Sequence, residues 1–128
     1  MGSQAELTVW NKRMNTKDKG FLCEDLVARY LEEEGHTILE RNYRCPMGEI
    51  DILSLSPEGV LCVTEVKSLT KRWDGNDIRY MVDNRKKIRL KRTLEHYLAS
   101  DHDVRFSGFS FDVATVTAGH VTYYRGEN

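Results

Sequence analysis

Residues 60 to 69 constrain the fold more than any other stretch of this chain. In an extended strand they put Leu61, Val63, Glu65 and Lys67 on one face and Val60, Cys62, Thr64 and Val66 on the other. Both faces are mostly apolar, so the strand needs cover on both sides and belongs in the middle of a sheet. Ser56-Pro57-Glu58-Gly59 before it is a strong turn signal. The strand should therefore return antiparallel to a preceding one over Glu49 to Ser56.

The rest of the chain supplies the cover. Asn15-Thr16 offers a helix N-cap, and Phe21, Leu22, Leu26, Val27, Tyr30 and Leu31 recur at helical spacing. Gly35 stops that helix. Thr37 to Arg44 reads as a strand, followed by a turn at Cys45-Pro46-Met47-Gly48. Residues 70 to 77 form a polar loop. In the helical segment beyond it, the apolar phase shifts between Ile78, Met81, Val82 and Leu90, Leu94, Tyr97, Leu98. A break at Asp83-Asn84 accounts for that shift. Phe109 to Thr117 and His120 to Arg125 make a hairpin around Ala118-Gly119. The order α-β-β-β-α-β-β predicts one α/β domain, a mixed sheet flanked by helices, over residues 16–128. Residues 1–15 read as a flexible lead-in.

A chain of 128 residues suits one domain with its own core. No apolar run approaches the roughly 20 residues of a membrane span, and no signal-peptide core is present. Residue 6 is Glu, which breaks the myristoylation pattern begun by Gly2. Cys23, Cys45 and Cys62 lack zinc-ligand spacing with one another or with His36, His96, His102 and His120. Reduced thiols in a cytoplasmic protein are expected, with Cys62 in the core. The formal net charge of −1 gives no global field to attract nucleic acid, so such a site must come from local clustering.

The chemistry concentrates between Gly48 and Lys67. Gly48-Glu49-Ile50-Asp51 sits on one strand of the expected hairpin and Glu65-Val66-Lys67 on the next. If the two faces coincide, Asp51, Glu65 and the additional acid Glu49 share one end of an apolar surface with the Lys67 ammonium. Ionised carboxylates there repel, and burying them costs several kcal/mol unless a cation is present. A Mg²⁺ or Mn²⁺ ion that also holds a phosphate oxygen resolves the conflict. The simpler alternative is a structural Glu65–Lys67 pair with Asp51 unrelated. Glu24 on the first helix could reach this site, but from its neighbours alone it reads as a solvated helix acid beside Asp25.

A basic run follows in the second helix. Helical spacing puts Arg85, Lys86, Arg89, Arg92 and His96 on one face, opposite Leu90, Leu94, Tyr97 and Leu98. Such a stripe suits a phosphate backbone, and a merely solvated face suits it as well. Lys71, Arg72 and Trp73 could add a loop contact and a stacking surface. Arg41 and Arg44 could touch phosphates or neutralise nearby acids. No phosphate-binding glycine loop and no nucleophile elbow occurs.

Taken together, Gly20-x-x-x-Glu24-x-x-x-Ala28-x-Tyr30-Leu31, Gly35, Arg41-Asn42-Tyr43-Arg44, Gly48-Glu49-Ile50-Asp51 and Glu65-Val66-Lys67 resemble the YraN-like family of small bacterial proteins. Lys86, Tyr97-Leu98 and Phe111-Asp112-Val113 match in order, and the resemblance runs from about residue 18 to residue 117. That family is similar in pattern to the restriction-endonuclease-like PD-(D/E)xK superfamily and, within it, to archaeal Holliday-junction resolvases. The resemblance implies a restriction-endonuclease-like core. It further implies that Asp51, Glu65 and the Val66 carbonyl bind metal, that Lys67 positions or activates water, and that Glu24 completes the site. One departure stands out: Leu69 occupies a position where the family usually carries Arg.

The expectation is thus a Mg²⁺- or Mn²⁺-dependent endonuclease acting on DNA, including branched DNA, and working as a homodimer without a membrane. The alternative is a nucleic-acid-binding or adaptor domain that keeps the nuclease fold without cutting, motivated by the near-neutral charge and Leu69.

Overall fold

The structure, a computed structural model, describes residues 16–69, 83–100 and 103–126. The lead-in and the loop bearing Lys71, Arg72 and Trp73 lie outside the described residues. The elements are α1 (Thr16–Glu33), β1 (Thr37–Cys45), β2 (Gly48–Leu55), β3 (Val60–Leu69), α2 (Asn84–Ala99), β4 (Gly108–Thr117) and β5 (His120–Tyr124). This is the expected α-β-β-β-α-β-β order.

The five strands form one sheet in the order β1-β2-β3-β4-β5, with β3 in the middle. β1, β2 and β3 are successively antiparallel, β4 runs parallel to β3, and β5 returns antiparallel to β4. The parallel step forces the chain back across the sheet between β3 and β4, and α2 lies on that crossover.

The two helices cover opposite faces. Cys23, Val27, Ala28 and Leu31 of α1 pack with Ile52, Ala114 and Val116. Leu90, Leu94 and Tyr97 of α2 pack with Leu53, Leu61, Val63 and Val113. The alternation of β3 explains the division: Leu61 and Val63 meet α2, while Val66 meets α1. Each fully buried aliphatic side chain here contributes about 1.5–3 kcal/mol relative to exposure. Cys62 is fully buried, and none of the three cysteines forms a disulfide.

Local signals set the boundaries. Gly35 has φ +90, and an added Cβ would lie 2.8 Å from Pro57 Cγ, so glycine fits both the backbone and the neighbouring turn. Asp83 caps α2 by accepting the Lys86 N–H at 2.9 Å. No helix among the described residues is long and apolar enough to cross a membrane.

Candidate metal and nucleic-acid site

The pairing of β2 with β3 runs from Leu55 opposite Leu61 to Ile52 opposite Thr64, and the ladder ends there. The next pair in register is Asp51 and Glu65. In place of a backbone rung, Asp51 Oδ2 accepts the Val66 N–H at 2.9 Å. On the other side, Arg41 lies opposite Ile52 and Tyr43 opposite Ile50, which puts Asn42 beside Asp51. Asn42, Asp51 and Glu65 therefore form a row across three strands.

Asn42 adopts the left-handed region, φ 53, which few residues other than glycine tolerate as well as asparagine. Its Nδ2 donates to Glu24 Oε1 at 2.7 Å, and Arg41 lies 3.9 Å from the same oxygen. An irregular β1 residue thus ties α1 to the row. The Glu24 side chain is 15% exposed, so it is not the solvated helix acid that its sequence neighbours suggest.

The electrostatics are strained. Burial pushes the Asp51 carboxyl above its ordinary value; the Val66 N–H opposes that shift, and the charges of Glu65, Glu24 and Glu49 add to it. Glu65 Oε1 makes a direct ion pair with Lys86 and lies 3.6 Å from Lys67 Nζ. Its other oxygen, Oε2, is buried and has no hydrogen-bond partner among the described residues. An orphaned carboxylate oxygen is costly to bury and commonly marks a place where a cation or water belongs.

These residues border a cleft of about 320 Å³ between the splayed strands and α2. Glu49, Asp51, Thr64 and Glu65 line it from the sheet, and Lys86 and Arg89 from the helix. Gly48 comes close to α2: a Cβ there would lie 3.0 Å from Thr93 Oγ1.

The structure brings Asp51, Glu65, Lys67 and Lys86 together and holds Glu24 close enough to raise the Asp51 pKa. Glu49 borders the cleft but is exposed and pairs with Arg44 at 3.2 Å. Arg41 pairs with Asp25 at 2.7 Å, the neutralising role rather than an open one. Arg85, Arg89 and Arg92 are exposed along α2. Lys86 corrects the expected stripe: it is half-buried and turned in to Glu65. The reason is spacing, since it precedes Leu90, Thr93 and Tyr97 by four, seven and eleven residues and so shares their buried face.

Among the described residues, no three His, Cys, Asp or Glu side chains gather into a ready-made cation cage. Asp51 and Glu65 supply two carboxylates. The Val66 carbonyl points to the same strand edge as the N–H that Asp51 holds, because both groups of one strand residue face the same neighbour. Magnesium is commonly held by one or two carboxylates together with waters and substrate phosphates. The orphaned Glu65 Oε2 and the raised Asp51 pKa fit such an ion, which would offset both.

Sequence reasoning missed the role of Asn42 and the place of Thr93 in the cleft lining beside Gly48. It also missed a second polar cluster, in which Tyr123 OH donates to Asp112 Oδ2, Gly126 N donates to Asp112 Oδ1 at 2.9 Å, and Thr64 Oγ1 bonds the same Tyr123 hydroxyl at 2.8 Å. Asp112 lies between apolar positions of a buried strand, a signal that it must find partners.

The model of the uncharacterised protein family UPF0102 matches residues 23–116. A UPF0102 protein of Moorella thermoacetica is 39% identical over 68% of this chain and 71% of its own length. One from Clostridium kluyveri is 36% identical over 78% of this chain and 80% of its own, and one from Clostridium acetobutylicum is 38% identical over 84% and 85%.

Proposed function

The chain belongs to the UPF0102 family, and from the geometry of its cleft we propose that it is a metal-dependent endonuclease hydrolysing DNA phosphodiester bonds, with branched or junction DNA as substrate. The observation that carries this reading is the side-by-side placement of Asp51 and Glu65 at the splayed end of β2 and β3, with Lys67 on the same carboxylate and a basic helix across the cleft.

Asp51, Glu65 and the Val66 carbonyl would hold a Mg²⁺ or Mn²⁺ ion. When bound, that ion supplies Lewis-acid polarisation of the scissile phosphate. The protein's own residues do the rest. Lys67 is 39% exposed beside Glu65, which suits its ammonium to orient a water and to stabilise the negative charge that would develop at the phosphate. Glu24, fixed by Asn42, adds negative potential beside Asp51 that favours cation capture. Arg85, Arg89 and Arg92 give the duplex backbone a row of cationic contacts. Arg44 can join them by leaving its exposed pair with Glu49. Two such sites in a homodimer would cut both strands of a branch.

The test is Mn²⁺ titration by calorimetry on wild type and on Asp51→Ala/Glu65→Ala, with cleavage of branched, flapped and single-stranded DNA alongside. Binding and cleavage that vanish together in the double variant support the reading. Cleavage that persists in a well-folded double variant overturns it. The pairing of Lys86 with Glu65, together with Leu69, favours a second reading, nucleic-acid binding without cutting. Salt-dependent DNA binding with no Mn²⁺ binding would select it.

A further inference from the structure

Glu65 is the most heavily engaged carboxylate of the cleft, and its partner comes from outside the strand pair. Lys67 follows it on β3 at 3.6 Å, whereas Lys86 reaches over from α2 and makes the direct contact. Both ammonium groups meet Oε1, and Oε2 is left buried and without a partner among the described residues. A lysine adds one positive charge on a flexible stem, and it can satisfy one oxygen while the other stays bare. Its side chain is 25% exposed and borders the cleft next to Arg89, so it has room to leave Glu65 without unfolding the helix.

We propose that Lys86 is the site's built-in cation: it holds Glu65 while no divalent ion is bound, yields that carboxylate to the ion, and then faces substrate phosphate beside Arg89. This rests on the nuclease reading and deepens it. A buried carboxylate beside another acid is costly unless some cation stands on it. A divalent ion with two carboxylates and a carbonyl can first meet the bare Oε2, and it then outcompetes the single ammonium of Lys86 for the carboxylate. The Lys86 charge therefore opposes metal capture, and the ammonium turns to the phosphate once released. A lysine that merely fastens α2 to the sheet would stay on Glu65 when the ion binds.

The experiment is Mn²⁺ calorimetry on wild type, Lys86→Met and the exposed neighbour Lys87→Met, each checked by thermal melting. Removing one positive charge from beside the ion should tighten Mn²⁺ binding roughly tenfold in Lys86→Met and leave Lys87→Met unchanged. Binding in wild type that is equal or weaker in Lys86→Met overturns the role of Lys86 and leaves the nuclease reading standing. Absence of Mn²⁺ binding in all three proteins overturns both. Should Lys86→Met not fold, wild type decides. Acetic anhydride labelling read by mass spectrometry should modify Lys86 several-fold faster with saturating Mg²⁺ than without it, relative to Lys87. An unchanged Lys86 rate overturns the proposal.

Discussion

Asp51 Oδ2 accepts the Val66 N–H at 2.9 Å, one position past the last backbone rung between β2 and β3. A side chain thus replaces a ladder bond where the strands part. The parting opens the cleft, and the replacement keeps the exposed edge of β3 satisfied while it does so.

Asp51→Asn keeps an acceptor for Val66 and removes the desolvated charge. Its stability at neutral pH should equal or exceed wild type, while Mn²⁺ binding is lost. The sign follows from the raised Asp51 pKa: the carboxyl's stabilising contribution is present below its unfolded value and is lost as pH rises through the folded one. Asp51→Ala, which also orphans the Val66 N–H, should cost about 1 kcal/mol more than Asp51→Asn. Urea denaturation of the three proteins checks the order.

Lys67→Met, which also removes a positive charge from beside Glu65, should bind Mn²⁺ at least as tightly as wild type and lower the cleavage rate by about 10²–10³-fold, the range for a lost donor to developing charge. Single-turnover cleavage beside calorimetry separates this outcome from the loss of metal expected for Glu65→Ala.

Asn42 carries two roles that substitutions can separate. Asn42→Gly keeps the left-handed backbone and loses the hold on Glu24, whereas Asn42→Ala loses both and should cost about 1–2 kcal/mol. Both variants should weaken Mn²⁺ binding, because Glu24 is no longer fixed beside Asp51, and Asn42→Ala should also lower the thermal midpoint.

His36 bonds Ser54 Oγ through Nδ1 at 2.9 Å, and burial, followed by the nearby Arg125 charge, pulls its pKa below the ordinary value. The unfolded chain then binds the proton more readily than the folded one. Stability from this group is present above the unfolded pKa and declines as pH falls toward the folded one. Melting curves between about pH 7.5 and about pH 5 should show a loss that is smaller in His36→Asn.

Tyr123→Phe removes the hydroxyl between buried Asp112 and Thr64. Leaving that carboxylate short of a donor should cost roughly 1–3 kcal/mol, with Mn²⁺ affinity unchanged. Gly126→Ala should loosen the same cluster, because its Cβ would lie 1.8 Å from the Phe111 carbonyl oxygen.

The elements and the acids were legible in the order of residues alone. Alternation in residues 60–69 defined a strand covered on both sides, the Ser56–Gly59 turn made it antiparallel to its predecessor, and Asp51, Glu65 and Lys67 stood out by spacing within that hairpin. These are local properties, set by the two-residue period of a strand and by turn chemistry. What the charged groups meet depends instead on how the elements dock. Lys86 looked like one more member of a solvated stripe until α2 docked with that face toward the sheet. Glu24 looked solvated until Asn42, in a backbone conformation that the local sequence does not announce, reached it across the strand. Ion pairs and hydrogen bonds between distant segments depend on helix rotation and strand register, and those are fixed by the packing of the whole core.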